Sequence, residues 1–257
     1  MKVVILCGGR GSRLHQETEF RPKPMVPVGG QPILIHIMEI FARHGYKEFV
    51  LCLGYRGEII RNYFLNFPAM TTDFTIDLGT GKVSTARGID YDWKVTLVNT
   101  GIPTGTGGRI KQVEAYLNGE PFLMTYGDGL ADVNISQLVE FHKSKKCLAT
   151  VTGVKPLSRF GVIESKDPGW VTGFREKPLL EGVVSGGFFV LEPKVFDYLT
   201  DDCVFEGAPL ARLAGEKQLA LYEHNGFFSS MDTYRDYLHL NAMFDAGQTP
   251  WISDGFQ

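Results

Sequence analysis

The sequence lacks the marks of several large functional classes. Its four cysteines, Cys7, Cys52, Cys147 and Cys203, include no Cys-x-x-Cys pair, which argues against zinc and dithiol sites and against a disulfide framework. Three of them lie in apolar, strand-like runs or at a strand end, where a reduced thiol packs as a small hydrophobe. No apolar run approaches the length of a membrane span, and the chain enters a strand at once with no signal-like segment. A cytoplasmic protein with no membrane partner is expected. The formal net charge of -3 over 257 residues offers no basic surplus to draw a nucleic acid. Histidine, aspartate and serine form no convincing constellation for nucleophilic catalysis. Two familiar glycine motifs fail as well. No lysine-ended phosphate loop follows Gly8 or Gly9, and Leu14 stands where a dinucleotide fingerprint carries its third glycine.

What is present begins at once. With 44% hydrophobic and 21% charged residues, the chain can hold one large α/β domain or two small ones. The apolar run Val3-Val4-Ile5-Leu6 reads as a buried strand emptying into Cys7-Gly8-Gly9-Arg10-Gly11-Ser12-Arg13-Leu14. Glycines at 8, 9 and 11 let backbone N–H groups approach an anion closely. By itself such a turn is more often plain than functional. Arg13 and Lys23 add two positive charges, and Pro22 and Pro24 stiffen both sides of the lysine. Together they form the chemistry of a polyphosphate cradle.

Downstream, a proline near the start and a glycine past the end frame a helix over 33–41. His36 and His44 on this segment are expected to be structural. A strand over 48–53 and a helix over 57–64 continue a strand–helix alternation that predicts a parallel sheet. From 66 to 99 the pattern changes to short strands around a glycine-rich connection, read as a β-rich or mobile insertion. Thr104-Gly105-Thr106-Gly107-Gly108-Arg109 then enters a helix expected over 110–117. Exposed N–H groups at such a start can hold an anion or a base carbonyl, and a glycine helix entry with a solvated arginine is as plausible locally. Next, a buried strand ends in Tyr126-Gly127-Asp128-Gly129, which puts Asp128 at the carboxyl end of the sheet, where α/β ligands bind. Aspartate between glycines often only forms a turn, yet a position shared with the opening loop favours metal binding, with Asp132 ranked lower. Asp232, in Met231-Asp232-Thr233, precedes a helix over 234–244 and either caps it or ligates a metal.

The run from Leu6 to Leu14 with Lys23-Pro24-Met25 resembles the signature of the sugar-1-phosphate nucleotidyltransferases, and the likeness runs essentially from end to end. The Thr-Gly-Gly-Arg segment ending at Arg109 narrows it to the glucose-1-phosphate cytidylyltransferase branch. The resemblance implies a single domain over 1–257, an α/β fold with a Rossmann-like mixed, mostly parallel central sheet flanked by helices, and a small β-rich sugar-facing part over 155–192. It implies transfer of a cytidylyl group from CTP to a sugar 1-phosphate, glucose first, with Mg2+ as cofactor and a homo-oligomeric assembly. In this scheme Leu6, Gly8, Gly9, Gly11, Ser12, Arg13, Lys23, Thr106, Arg109 and Asp128 bind the nucleotide, with Arg13 and Lys23 catalytic. Arg109 meets the cytosine ring. Asp128 and Asp232 hold the metal. Tyr126, Gly127, Glu176, Lys177, Ser185, Gly186 and Gly187 bind the sugar phosphate, and the glycines of that last strand would let a sugar lie against the backbone. Lys177 precedes Pro178, so an extended backbone is expected there. Ser185 replaces the asparagine usual in glucose-specific relatives, and Asn225, Phe228 and two serines replace expected bulkier residues. These departures leave open a different phosphorylated acceptor, and a non-catalytic nucleotide-binding homologue is the reading from another class.

Overall fold

The structure, a computed structural model, describes residues 1–85, 91–156, 158, 160–179 and 182–252. Positions 86–90, inside the expected insertion, lie outside the described residues. Strand β1 (Val3–Cys7) is buried at every position. The glycine loop, a short helix α1 (His15–Thr18) and two-residue strands β2 (Pro27–Val28) and β3 (Gln31–Pro32) lead into α2 (Ile33–Ala42). Eight of the ten α2 residues are buried, so it is a core helix rather than a surface one. Strand β4 (Glu48–Leu53), helices α3 (Gly57–Leu65) and α4 (Phe67–Thr71) and the hairpin β5 (Phe74–Asp77) with β6 (Lys82–Thr85) follow. Then come β7 (Lys94–Asn99), α5 (Thr106–Gln112), β8 (Phe122–Tyr126), β9 (Gly129–Ala131), α6 (Ile135–Lys145) and β10 (Ala149–Val154). The last part holds hairpin β11 (Val162–Glu164) with β12 (Gly173–Arg175), β13 (Val184–Leu191), α7 (Ala208–Gly215), β14 (Leu219–His224), β15 (Phe228–Ser230) and α8 (Tyr234–Asp245).

Seven strands form the central sheet in the order β14-β10-β13-β8-β1-β4-β7. All pairings are parallel except those of β13, which runs against both β8 and β10. The carboxyl ends of the six parallel strands therefore share one edge of the sheet, and the beginning of β13 is delivered to that same edge. β7, the last six residues of the 66–99 stretch, is an edge strand of this sheet. Period-two alternation splits the strands between two cores. Ile5, Cys7 and Leu51 pack with α2 on one face, while Leu6, Cys52 and Met124 pack with Ile110 of α5 on the other.

The helix expected over 110–117 starts earlier, at Thr106, ends at Gln112, and gives way to a 3-10 turn over Glu114–Tyr116. The glycines explain the early start. A Cβ on Gly105 would lie 2.5 Å from the carbonyl oxygen of Cys203, and one on Gly108 would strike the carbonyl of Asp201. The first turn of α5 thus packs directly on the 201–203 backbone, where Gly108 N–H donates to Cys203 O at 3.1 Å.

Cys7 and Cys52 are 1% and 0% exposed. Burial pushes both thiols up, Cys52 to about 12, so neither carries thiolate near neutral pH. Iodoacetamide is expected to leave both unmodified in the native protein and to alkylate both in urea, read by peptide mass spectrometry. Labelling of either in the folded state would contradict their packing role.

Candidate active site

The opening loop is tied by its own backbone. Gly11 has φ 61°, a conformation open to glycine at no steric cost. Its carbonyl accepts from Leu14 N–H at 2.9 Å and from the Thr18 hydroxyl at 3.0 Å. Gly9 faces open space, Ser12 begins a 3-10 turn (Ser12–Leu14), and the Arg13 side chain is 69% exposed. The loop therefore presents backbone and two arginines, Arg10 and Arg13, to solvent above the sheet edge.

Beneath it the acidic residues converge on Lys23. Its Nζ lies 2.7 Å from Asp128 Oδ2 and 2.8 Å from Asp232 Oδ1, and Arg13 Nη2 reaches Asp232 Oδ1 at 3.2 Å. Two features hold the carboxylates in register. Asp128 precedes β9 and Asp232 follows β15, which pair antiparallel, and Met231 N–H donates to Asp128 O at 2.9 Å. Ser230 Oγ donates to Asp232 Oδ2 at 3.0 Å. Burial disfavours the charges on Lys23 and Asp232, yet their mutual attraction prevails. The Lys23 ammonium is held above its ordinary range by Asp128 and Asp232, and the Asp232 carboxyl is held below its own by Lys23, Ser230 and Arg13.

Asp232 does not cap α8. Thr233 is the N-cap and closes a capping box with Asp236, because its shorter side chain sits one residue nearer the free N–H groups. Asp232 is thereby free for the cluster. Asp132 is not part of it; its carboxylate pairs with His224 Nε2 at 2.8 Å, at the far end of the β9–β15 ladder. Asp128 and Asp232 suit a hard divalent cation, since a single cation, the Lys23 ammonium, already touches both carboxylates. Among the described residues no group of three His, Cys, Asp or Glu side chains forms a metal site, so phosphate oxygens and water would complete the coordination.

Arg109 is 4% exposed and faces inward. Its Nη1 donates to Leu53 O, Thr100 Oγ1 and Gly101 O at 3.2, 2.7 and 2.7 Å, and its Nη2 to Gly8 O and Ile102 O at 3.2 and 3.1 Å. The guanidinium thus fastens the ends of β1, β4 and β7 together. Leu6, at the end of β1, accepts at its carbonyl from Gly127 N–H at 3.1 Å. Gly127 has no room for a Cβ, which would lie 2.7 Å from Pro24 Cγ. The glycine loop, the lysine turn and the Asp128 turn are therefore packed as one unit.

On the other side the arrangement differs from expectation. Space over the β13 glycines is filled by protein: a Cβ on Gly187 would lie 2.5 Å from Tyr126 Cδ2, and one on Gly186 would lie 2.8 Å from Val154 Cγ1. The ring of Tyr126, not open room, covers Gly187. Lys177 is not extended but has φ 45°; the chain reverses after β12, and Ser158 N–H fastens the turn to Pro178 O at 2.9 Å. Its Nζ pairs with Glu176 at 3.4 Å, both side chains being exposed, as is Ser185. No hydrogen bond or ion pair among the described residues joins Glu176, Lys177 or Ser185 to the Lys23 cluster.

Glu206 is a site residue that sequence reasoning missed. Its carboxylate accepts from the Tyr126 hydroxyl and, at 2.5 Å, from Thr106 Oγ1, which itself accepts from Phe205 N–H at 2.8 Å. No local motif surrounds it, so nothing short of the fold reveals it.

A glycine-rich loop, a lysine bound to two aspartates and a mostly parallel sheet agree with what sequence comparison shows. The chain belongs to the nucleotidyl transferase family, whose model matches residues 2–222. It is 46% identical over 253 residues to a Bacillus subtilis protein named "Probable glucose-1-phosphate cytidylyltransferase", covering 98% of this chain and 99% of the relative. To the glucose-1-phosphate cytidylyltransferase of Salmonella typhimurium it is 43% identical over 254 residues, covering 98% of each. A UDP-glucose pyrophosphorylase from Acinetobacter baumanii superposes with a TM-score of 0.69 at 17% identity, covering 95% of this chain and 92% of that one. At that identity the likeness defines a shared fold, that of the nucleotide-diphospho-sugar transferases. No helix among the described residues is long and apolar enough to cross a membrane.

Proposed function

We propose that this chain is a glucose-1-phosphate cytidylyltransferase, joining CTP and α-D-glucose 1-phosphate to give CDP-glucose and pyrophosphate. One observation carries the reading: Lys23 gripping Asp128 and Asp232 beside a glycine-rich loop, in a chain 43% identical to a cytidylyltransferase along nearly its whole length. A phosphate oxygen of the sugar phosphate attacks the α-phosphorus of CTP, and the bond from that phosphorus to the bridging oxygen of the leaving pyrophosphate breaks. The nucleophile is already an anion, so no general base is needed. That accounts for a site built from cations, carboxylates and backbone. Catalysis then rests on alignment and on neutralising charge. The loop over 8–12 and Arg13 take the β and γ phosphates, Lys23 the α-phosphate, and Lys177 the incoming phosphate. Asp128 and Asp232 would hold Mg2+, which when bound supplies Lewis-acid polarisation and a template for phosphate oxygens.

The proposed setting is the cytoplasm, in keeping with four free cysteines. A homo-oligomer is proposed as well, supported by exposed Phe74, Ile76 and Val83 on one hairpin and Ile163 and Phe174 on the other.

The test is pyrophosphate release with Mg2+, crossing the four ribonucleoside triphosphates and dTTP with glucose 1-phosphate. Release is expected with CTP well above the rest. Silence with glucose 1-phosphate but release with another phosphorylated acceptor would make Ser185 the mark of a changed acceptor. Silence with every pair would overturn the reading.

A further inference from the structure

Tyr126 ends β8 two residues before Asp128, and its ring closes over the α-carbon of Gly187 at the start of β13. Its hydroxyl meets Glu206, whose other oxygen holds Thr106 at the first turn of α5. Glu206 thus bridges the helix that packs behind the phosphate loop and the strand on the opposite, β13 side. The bridge is firmly seated. Phe205 N–H donates to Thr106 Oγ1 and Gly108 N–H to Cys203 O, while the missing Cβ atoms of Gly105 and Gly108 admit the 201–203 backbone. Tyr126 itself is half-buried and stands edge-on to Phe189, so the hydroxyl contact fixes the remaining freedom of the ring. Glu206 is exposed. A carboxylate has about four acceptor positions, and the two hydroxyls leave part of that capacity turned to solvent.

We propose that Glu206 is a positioning residue for the sugar phosphate: through Tyr126 it sets the wall against which the sugar rests, and so helps determine which acceptor is used. The inference rests on the cytidylyltransferase reading. It also gives Gly187 a different part from direct contact with sugar, since it makes room for Tyr126. The nucleotide side depends instead on the loop over 8–12 and on the strand ends that Arg109 fastens. Loosening Tyr126 should therefore be felt on one substrate and not the other.

The test is steady-state kinetics on the full chain, varying CTP and glucose 1-phosphate separately, for wild type, Glu206→Ala, Glu206→Gln, Tyr126→Phe and the double variant Tyr126→Phe/Glu206→Ala. The expected result is a loss of about tenfold in kcat/KM for glucose 1-phosphate in Glu206→Ala and Tyr126→Phe. In Tyr126→Phe, which leaves the Glu206 contact to Thr106 in place, KM for CTP should stay within about twofold, because only the wall on the sugar side has moved. Glutamine retains an acceptor oxygen and should recover part of the loss. The double variant should be no worse than Glu206→Ala alone, because both changes break one contact. Losses that multiply, or KM rising equally for both substrates, would reduce Glu206 to a general brace of α5 and overturn the proposal, as would variants that match wild type. A wild type without turnover would instead overturn the cytidylyltransferase reading and this inference with it, which separates the two failures.

Discussion

Lys23→Met is expected to lower turnover by about 10³-fold or more, with the protein still folded. The scale is that of removing one charge-stabilising group from a preorganised site, and here one ammonium serves two carboxylates and faces the transferred phosphate in the proposed reaction. Methionine preserves much of the length and volume of the side chain while deleting the charge. Asp128 and Asp232, with side chains 30% and 18% exposed, then face each other with only the solvent-exposed Arg13 to compensate. The metal-free variant should lose about 2 kcal/mol of stability, since removing one partner of a half-buried pair strands the other. Added Mg2+ should restore more thermal stability to the variant than to wild type, because the cation then takes the place of the missing ammonium between the carboxylates. Pyrophosphate release and melting with and without Mg2+ read both effects. Turnover within tenfold of wild type would remove Lys23 from the reaction. Asp128→Ala should lose turnover on the same scale, and unchanged turnover there would remove Asp128.

Gly8→Ala should cost both stability and nucleotide affinity. The new Cβ would lie 2.7 Å from Arg109 Nε and closer still to the rest of the guanidinium. Arg109 has nowhere to retreat, being buried and held by acceptors on five residues. Either the guanidinium leaves the carbonyls of Gly101 and Ile102 without its N–H groups, at about 1–3 kcal/mol for each one left unsatisfied, or the glycine loop shifts off its seat. Both outcomes predict a stability loss of about 3 kcal/mol and a rise of at least about tenfold in KM for CTP. Gly9→Ala is the internal control for stability, since a Cβ there meets nothing within 4 Å, and its melting temperature should barely move. A Gly8→Ala protein with the melting temperature and KM of wild type would contradict the packing described for Arg109.

The centre of the sheet was legible because β1, β4 and β8 are mainly apolar runs followed directly by glycine, and such runs have few alternatives to a buried parallel strand. That the glycine loop, Lys23, Asp128 and Asp232 come together was legible for a related reason: charge beside glycine at a strand end is chemically conspicuous. What escaped depends on partners far away in the chain. The first turn of α5 could not be placed because its glycines answer to the backbone of residues 201–203. The Gly186-Gly187 pair suggested room for a ligand because nothing local announces that Tyr126 and Val154 fill it. At Lys177 the proline rule yielded to a chain reversal, and at position 232 the cap moved by one residue to Thr233. Local rules described local backbone well and failed where tertiary contact decided.

Lys23 and Asp232 are separated by 209 positions, and Lys23 and Asp128 by 105. The contact that defines the site therefore also clasps early and late parts of the polypeptide, a pairing of high sequence separation that forms slowly. A ribosome must release the chain past position 232 before the cluster can close, so the phosphate loop emerges long before its carboxylate partners arrive. Nascent chains and fragments that stop short of that point hold the loop without the full charge cluster.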